Sequence, residues 1–193
     1  MSDNKINFFK HETAIIDDGA DIGNDTKIWH FTHVMKAKIG SNCIIGQNVF
    51  VANNVVLGNR VKVQNNVSLY EGVLCEDEVF IGPSTVFTNV INPRSFIERK
   101  NEYRKTKIRK GATIGANATI ICGITIGRYA FVGAGSVVTK DVKDFALVAG
   151  NPARQKGWMS MNGSKLKFDK DGIAVCDLSQ QKYKLENEIV SAL

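Results

Sequence analysis

Three groups of residues in this sequence could do chemistry. The first is Gln64-Asn65-Asn66 followed by Tyr70. Carboxamides beside an aromatic ring suit a sugar or a nucleotide, which need both hydrogen-bond partners and a surface to lie against. The second is Asn89 with the basic segment that follows it. From Arg94 to Lys110 there are eight basic residues (Arg94, Arg99, Lys100, Arg104, Lys105, Lys107, Arg109, Lys110) against Glu98 and Glu102, an excess of six that equals the +6 net charge of the whole chain. Arginines in such a run pair two-pronged with carboxylates and phosphates, so an anionic small ligand is the preferred reading. A solvated charged surface is the bland alternative. Nucleic acid is the other, with Phe96 and Tyr103 available to stack but no recognised binding module, and no nucleic-acid partner is expected. The third group is the histidines, of which the chain has three: His11, His30 and His33.

These groups need a scaffold, and the sequence carries one as a repeat. From Ile39 to Phe87 an aliphatic or equivalent residue returns every sixth position: Ile39, Ile45, Val51, Leu57, Val63, Leu69, Cys75, Ile81 and Phe87. A small residue follows four places after each, from Cys43 and Val49 to Val79 and Thr85. Six matches neither the 3.6 period of a helix nor the two of a single strand. It predicts strands of about four residues joined by short corners and coiled into a parallel β-helix, each inward aliphatic stacking on the one three repeats later. The period starts earlier, at Ile16, Ile22, Ile28 and Val34, with Ile39 one residue early. That deletion belongs at a corner, because a slip within a strand would turn its inward face outward. The period stops after Phe87 and resumes from Ile108 to Val138, so residues 89–107 must leave the prism as an external loop, where binding residues concentrate. The repeat fills about six coils, roughly 29 Å at the strand spacing of a sheet.

Stacking three repeats apart predicts polar columns. One is His30, Gln47, Asn65 and another Asn53, Glu71, Asn89; Ala52, Tyr70 and Thr88 form a third. Such ladders often only satisfy corner backbone groups. The domain plan is an arm over 1–12, a β-helix over 13–157 and an extension over 158–193 that caps the last coil, with short strands in Phe168–Cys176 and Lys182–Glu186 and a frayed end. The first twelve residues do not read as a signal peptide, and no stretch approaches the roughly 20 apolar residues of a membrane span. A cytoplasmic protein with no membrane partner is therefore expected. Cys43, Cys75, Cys122 and Cys176 lack metal-ligand spacing and read as small buried hydrophobes. No metal is expected. His30 and His33 share one coil, and no later histidine could complete the three-histidine zinc site of a γ-type carbonic anhydrase.

The repeat, the external loop and Gly150-Asn151-Pro152-Ala153-Arg154 resemble the hexapeptide-repeat acyltransferases. That resemblance implies an all-β, left-handed parallel β-helix, a homotrimer and acyl-CoA as co-substrate. Ile28-Trp29-His30-Phe31, Gln64-Asn65-Asn66-Val67, Gly82-Pro83-Ser84, Phe87-Thr88-Asn89-Val90 with Asn92-Pro93-Arg94, and Glu98-Arg99-Lys100 are similar to bacterial enzymes that N-acetylate a UDP-linked 3-amino-glucuronate for surface polysaccharide. Close cousins act on dTDP-linked 3-amino-3,6-dideoxyhexoses, which is the alternative. A non-catalytic scaffold is another. The resemblance implies that Asn89 orients the reacting groups and that Gln64, Asn65, Asn66, Tyr70, Asn92 and Arg94 contact the sugar nucleotide. Acetyl-CoA would lie along the later coils between subunits, near Ala116, Gly133 and Ala134, its phosphates near Lys140, Arg154 and Lys156. Related enzymes use a histidine base in the second half of the prism, and this chain has none after His33.

Overall fold

The computed structural model describes residues 7–193. Successive repeats place paired segments in rotation on three sheets, here faces A, B and C. Lys27–Ile28 lies on A, His33–Val34 on B and Lys38–Ile39 on C, and Ile44–Ile45 returns to A. Neighbours within a sheet are three repeats apart and parallel, so Ile28, Ile45, Val63, Ile81 and Ile114 stand in one column. The product is an all-β, left-handed parallel β-helix of about 8 turns.

The two sequence registers make its core. Ile28, Ile45, Val63, Leu69 and Ile81 are fully buried, as are Cys43, Val55, Val61 and Val67 of the small register. Each buried aliphatic contributes about 1.5–3 kcal/mol. At three of the small slots that hold threonine the hydroxyl donates to a nearby carbonyl, Thr26 to Gly40 at 2.8 Å, Thr32 to Gly46 at 2.7 Å and Thr85 to Gly82 at 2.8 Å, whereas the buried hydroxyl of Thr106, in the same slot, has no partner. The first three hydroxyls are thereby satisfied. The glycine after the aliphatic reflects close coil contact, since a Cβ on Gly82 would sit 2.6 Å from the Ala116 nitrogen. Corners turn on a residue with positive φ, and asparagine fills that place at Asn42, Asn48, Asn54 and Asn66. Asparagine tolerates this conformation better than most residues.

Several expectations are refined. The paired segments are mostly two residues long rather than four. The early Ile39 is accommodated in the corner Met35–Ala37, where the Ala37 N–H donates to the Met35 carbonyl at 2.7 Å. The solenoid also runs past the six coils counted from the period. Phe9–Lys10 pairs with Lys27–Ile28, and Ala146–Ala149 continues face A beyond Phe131–Val132. Of the arm placed at 1–12, residues 1–6 lie outside the described ones.

After Ala149 the chain reverses. Arg154–Met159 and Lys165–Leu166 add antiparallel strands to face A. Ile173–Val175, Lys182–Glu186 and Ile189–Ala192 form a separate antiparallel sheet, so the end that was expected to fray is a strand. A second core of Phe145, Leu166, Ala174, Cys176, Tyr183 and Val190 joins this sheet to the last coil. Tyr183 is fully buried, and its hydroxyl accepts from the Met161 N–H at 3.0 Å.

The outward residues distinguish the faces. Face B presents Ile15, His33, Phe50, Ser68, Val86, Thr119 and Val137, with no lysine, arginine, aspartate or glutamate. Face A carries Lys27 and Lys62, and face C carries Asp21, Lys38 and Lys107.

Candidate active site

The external loop leaves from the corner between faces B and C. It spans residues 88–105, since Thr106–Ile108 already pairs with Val73–Cys75 on face C. Its neck is closed by the Arg104 N–H donating to the Asn89 carbonyl at 2.9 Å and the Thr106 N–H donating to the Gly72 carbonyl at 2.9 Å. The Thr88 hydroxyl accepts from the Cys122 N–H at 2.9 Å. Within the loop, the Ile97 N–H donates to the Arg94 carbonyl at 3.1 Å, and a single 3-10 turn covers Lys100–Glu102.

Most cations of the basic run have carboxylate partners within the chain. Its return strand is tied to the prism: Lys107 reaches Glu76 at 3.2 Å, Arg109 reaches Asp144 at 3.3 Å and Lys110 reaches Glu78 at 3.6 Å. Burial would raise the Glu76 carboxyl, but the Lys110 N–H and the Lys107 and Arg109 side chains outweigh it and hold the group below its usual value. Within the loop Arg99 pairs with Glu102 at 2.7 Å and Lys100 with Glu98 at 3.2 Å. Among the described residues Arg94, Arg104 and Lys105 have no carboxylate partner, and Arg94 donates only to the Pro93 carbonyl at 3.3 Å. Asn89, Val90, Arg94, Arg99, Lys100 and Tyr103 line a cleft of about 240 Å³. No histidine lines it. Asn92 points outward and is not part of it.

Thr88 stands one coil beyond Tyr70 and Asn89 one coil beyond Glu71, because Ser68 and Val86 pair in register. Tyr70 meets Phe50 edge-on at 6.1 Å. Gln64, Asn65 and Asn66 occupy a different corner, between faces A and B. There the Asn65 side-chain Oδ1 accepts from the Gln47 N–H at 2.9 Å, and Asn66 turns the corner with φ 61°. Backbone satisfaction thus accounts for much of this ladder. Asn53 does the same for the Lys36 N–H at 3.1 Å, and Asp77 for the Asn59 N–H at 2.7 Å. Gln64 and Asn65 nevertheless line a cleft of about 390 Å³ with Trp29, His30, Ile44 and Gln47. The expected substrate residues therefore divide between the two edges of face B. Gln47 was legible only as a member of the His30–Gln47–Asn65 column, and nothing in a single sequence singles out its side chain.

The expected cofactor residues divide in the same way. Ala116, Gly133 and Ala134 lie on the A–B corner, where the Gly135 N–H donates to the Ala116 carbonyl at 2.8 Å. Lys140 follows face B at the B–C corner and shares a cavity of about 220 Å³ with Lys143, Arg154 and Gln155. Lys156 lies outside that cavity. The histidines have local partners: His11 and His30 stack with centroids 3.5 Å apart, and His33 meets Asp17 at 3.0 Å. The four cysteines are free and buried. Among the described residues no three His, Cys, Asp or Glu side chains are grouped to hold a metal, and no helix is long and apolar enough to cross a membrane.

Comparison with known proteins gives this geometry a family. Residues 36–71 and 105–140 match the bacterial transferase hexapeptide (six repeats) family. The chain is 46% identical over 194 residues to the dTDP-3-amino-3,6-dideoxy-alpha-D-galactopyranose 3-N-acetyltransferase of Aneurinibacillus thermoaerophilus, covering 100% of this chain and 99% of that one. Among solved structures, a hexapeptide transferase family protein from Anaplasma phagocytophilum superposes with a TM-score of 0.54 at 21% identity, over 79% of this chain and 80% of that one. PerB from Caulobacter crescentus, solved with CoA and GDP-perosamine, gives 0.51 at 21% identity over 79% of this chain, which spans 58% of PerB. Those two likenesses speak for the fold alone, whereas the full-length identity speaks for ancestry. The chain belongs to the hexapeptide-repeat acetyltransferase family.

Proposed function

We propose that this protein transfers the acetyl group of acetyl-CoA to the 3-amino group of a nucleotide-linked amino sugar, with a dTDP-linked 3-amino-3,6-dideoxyhexose as acceptor. The observation that carries this is the 46% identity along the full length to an enzyme named for that reaction. A UDP-linked 3-amino-uronic acid, the acceptor expected from the motifs, is a second reading. Its support is Arg94, which lines the Asn89 cleft without a carboxylate partner among the described residues and suits a sugar carboxylate. Either product would be an acetamido sugar of the kind built into surface polysaccharide.

The chemistry asks little of the protein as a base. An amine of this type titrates near an α-amino group, about 7.7–8.0, so a useful fraction is neutral at neutral pH. The amine nitrogen attacks the thioester carbonyl, the C–N bond forms as the C–S bond breaks, and the proton leaving nitrogen ends on the CoA thiolate. What the chain supplies is alignment and donors for the developing oxyanion. Asn89 is assigned the alignment, since its side-chain amide has no hydrogen-bond partner among the described residues and lines the loop cleft. Ala116, Gly133, Ala134, Lys140 and Arg154 are assigned to acetyl-CoA.

A homotrimer organises these assignments. Face B lacks Lys, Arg, Asp and Glu on its outward column, so it is the face that loses least on leaving water. Three prisms that turn one face toward a three-fold axis set the A–B corner of each against the B–C corner of the next. Both divided sets, for sugar nucleotide and for acetyl-CoA, then become sites between copies. The test is thiol release from acetyl-CoA with three acceptors: the dTDP-linked 3-amino-3,6-dideoxygalactose, the UDP-linked 3-amino-glucuronate and serine. Release with the dTDP sugar alone is expected. Release with the UDP sugar alone would establish the second reading, and release with serine alone would overturn both.

A further inference from the structure

The C-terminal extension reaches back to the cavity that holds Lys140 and Arg154. We propose that Glu188 of the extension is a positioning residue for that cavity: its carboxylate competes with incoming phosphate groups for Lys143 and so limits how tightly the anionic co-substrate is held. This rests on the assignment of acetyl-CoA to Lys140 and Arg154 above.

The cavity has a simple charge pattern. Its lining of Val138–Lys143, Val148 and Ala153–Gln155 carries three cations, Lys140, Lys143 and Arg154, and one carboxylate, Asp141. Three cations around about 220 Å³ suit phosphate groups. Asp141 is occupied, since its Oδ1 accepts from the Thr125 N–H at 2.8 Å. Arg154 donates only to the Ala153 carbonyl, at 3.0 Å. Lys143 is the cation already taken: its Nζ donates to Glu188 Oε2 at 2.6 Å. The ammonium in turn holds the Glu188 carboxyl below its usual value.

The backbone that delivers Glu188 is strained. Glu186 and Ile189 pair across the hairpin, and the two residues between them are Asn187 with φ 48° and Glu188 with φ 57°. A two-residue hairpin turn with both φ values positive favours Asn-Gly. Asparagine is in its place, but glutamate stands where glycine would sit without a Cβ penalty. The ion pair does not offset this through stability. Its side chains are 49% and 82% exposed, and a pair so open to water contributes little. A carboxylate held in a strained turn for little gain in stability points to a role at the cavity.

Position agrees with competition. Glu188 also lines a neighbouring cleft of about 480 Å³ with Gly157, Trp158 and Leu185, and Gln155 lines both spaces. The carboxylate therefore stands at the rim, within reach of Lys143 and open to solvent. A phosphate in the cavity meets Lys140, Lys143 and Arg154 together, whereas Glu188 meets Lys143 alone, so the phosphate displaces it. The ammonium must leave one anion to take the other, which weakens binding and eases exchange of spent CoA for acetyl-CoA.

The experiment is titration calorimetry of the full chain with CoA, on wild type, Glu188→Gln, Lys143→Ala and the double variant, at low and high salt. Melting curves serve as the control for folding. Glu188→Gln is expected to tighten CoA binding about threefold at low salt, the scale of one exposed charge, and by less at high salt. Lys143→Ala should weaken binding, and the double variant should bind as Lys143→Ala does. Unchanged or weaker binding in Glu188→Gln overturns the proposal. So does a gain of equal size without Lys143, which would make Glu188 a general repulsive charge. Glu188→Gly should tighten CoA in the same way and raise the melting temperature by relieving the turn. A lower melting temperature with unchanged CoA affinity would make the pair a structural clasp instead. A wild type that binds no CoA would remove the co-substrate assignment along with this role, whereas CoA binding indifferent to Glu188 removes this role alone.

Discussion

Asn89 and Glu76 stand at opposite edges of face C and do different jobs. Asn89 lends its backbone carbonyl to Arg104, so its side chain can be shortened without cutting the neck. Asn89→Ala is expected to lower turnover by about 10²-fold, the scale of losing one positioned polar group, while CoA affinity and oligomeric state persist. Wild-type turnover in steady-state kinetics would take Asn89 out of the mechanism. Glu76 holds the return strand through Lys107, Arg109 and the Lys110 N–H. Its folded-state carboxyl lies below the ordinary 4.5, so its contribution is present above that pH and fades as pH falls below it. Glu76→Gln should therefore lower the melting temperature more at pH 7 than at pH 3. An equal drop at both would mean that its charge is irrelevant. Of these two residues, only Asn89 was singled out from the sequence. The basic run declared itself by composition, but which cations face carboxylates depends on which coils stack, and that is not local information.

The elements show where the sixfold pattern informs and where it fails. Inward aliphatics are forced by the core, so their period exposes the faces, the corner deletion at Met35–Ala37 and the site of the loop. At the two ends other packing substitutes. Phe9–Lys10 joins face A with both residues exposed, and the last coil shortens the path from Val138 to Val142, so neither keeps the repeat. The extension builds its own core around Tyr183, whose neighbours are scattered from Phe145 to Val190. The loop neck offers a test at this scale. Gly72 has φ +97°, and a Cβ there would sit 3.0 Å from the Arg104 carbonyl oxygen. Gly163 has φ +80° with nothing within 4 Å of its Cβ position. Alanine at Gly163 is expected to cost only the left-handed backbone penalty, about 1–2 kcal/mol. Alanine at Gly72 should cost more and should also raise the KM for the acceptor by displacing the neck. Equal denaturation midpoints with unchanged kinetics would show that the loop tolerates the shift.

At the scale of the molecule, face B is the uncharged side of the prism. Val86 stands on its outward column about half exposed, near the loop. A charge buried there without a partner is strongly disfavoured. If the protein is the trimer proposed above, Val86→Lys is expected to convert it to monomers by light scattering, and a trimer that survives the substitution would move the interface to another face. If the interface is face B, Gln64 of one copy and Asn89 of the next serve the same site. Two crippled proteins, Asn89→Ala and Gln64→Leu, should then rescue one another when coexpressed or mixed through unfolding and refolding. In randomly assembled cyclic trimers about one site in four would combine the intact Gln64 of one chain with the intact Asn89 of its neighbour. Activity should rise toward that fraction of wild type at subsaturating acceptor. If each chain instead carried both groups of its own site, mixing would yield only the average of the two variants. Recovery above that average is therefore specific to a site shared across face B, and its absence in confirmed mixed trimers would mean that Gln64 of one copy and Asn89 of the next do not serve one site.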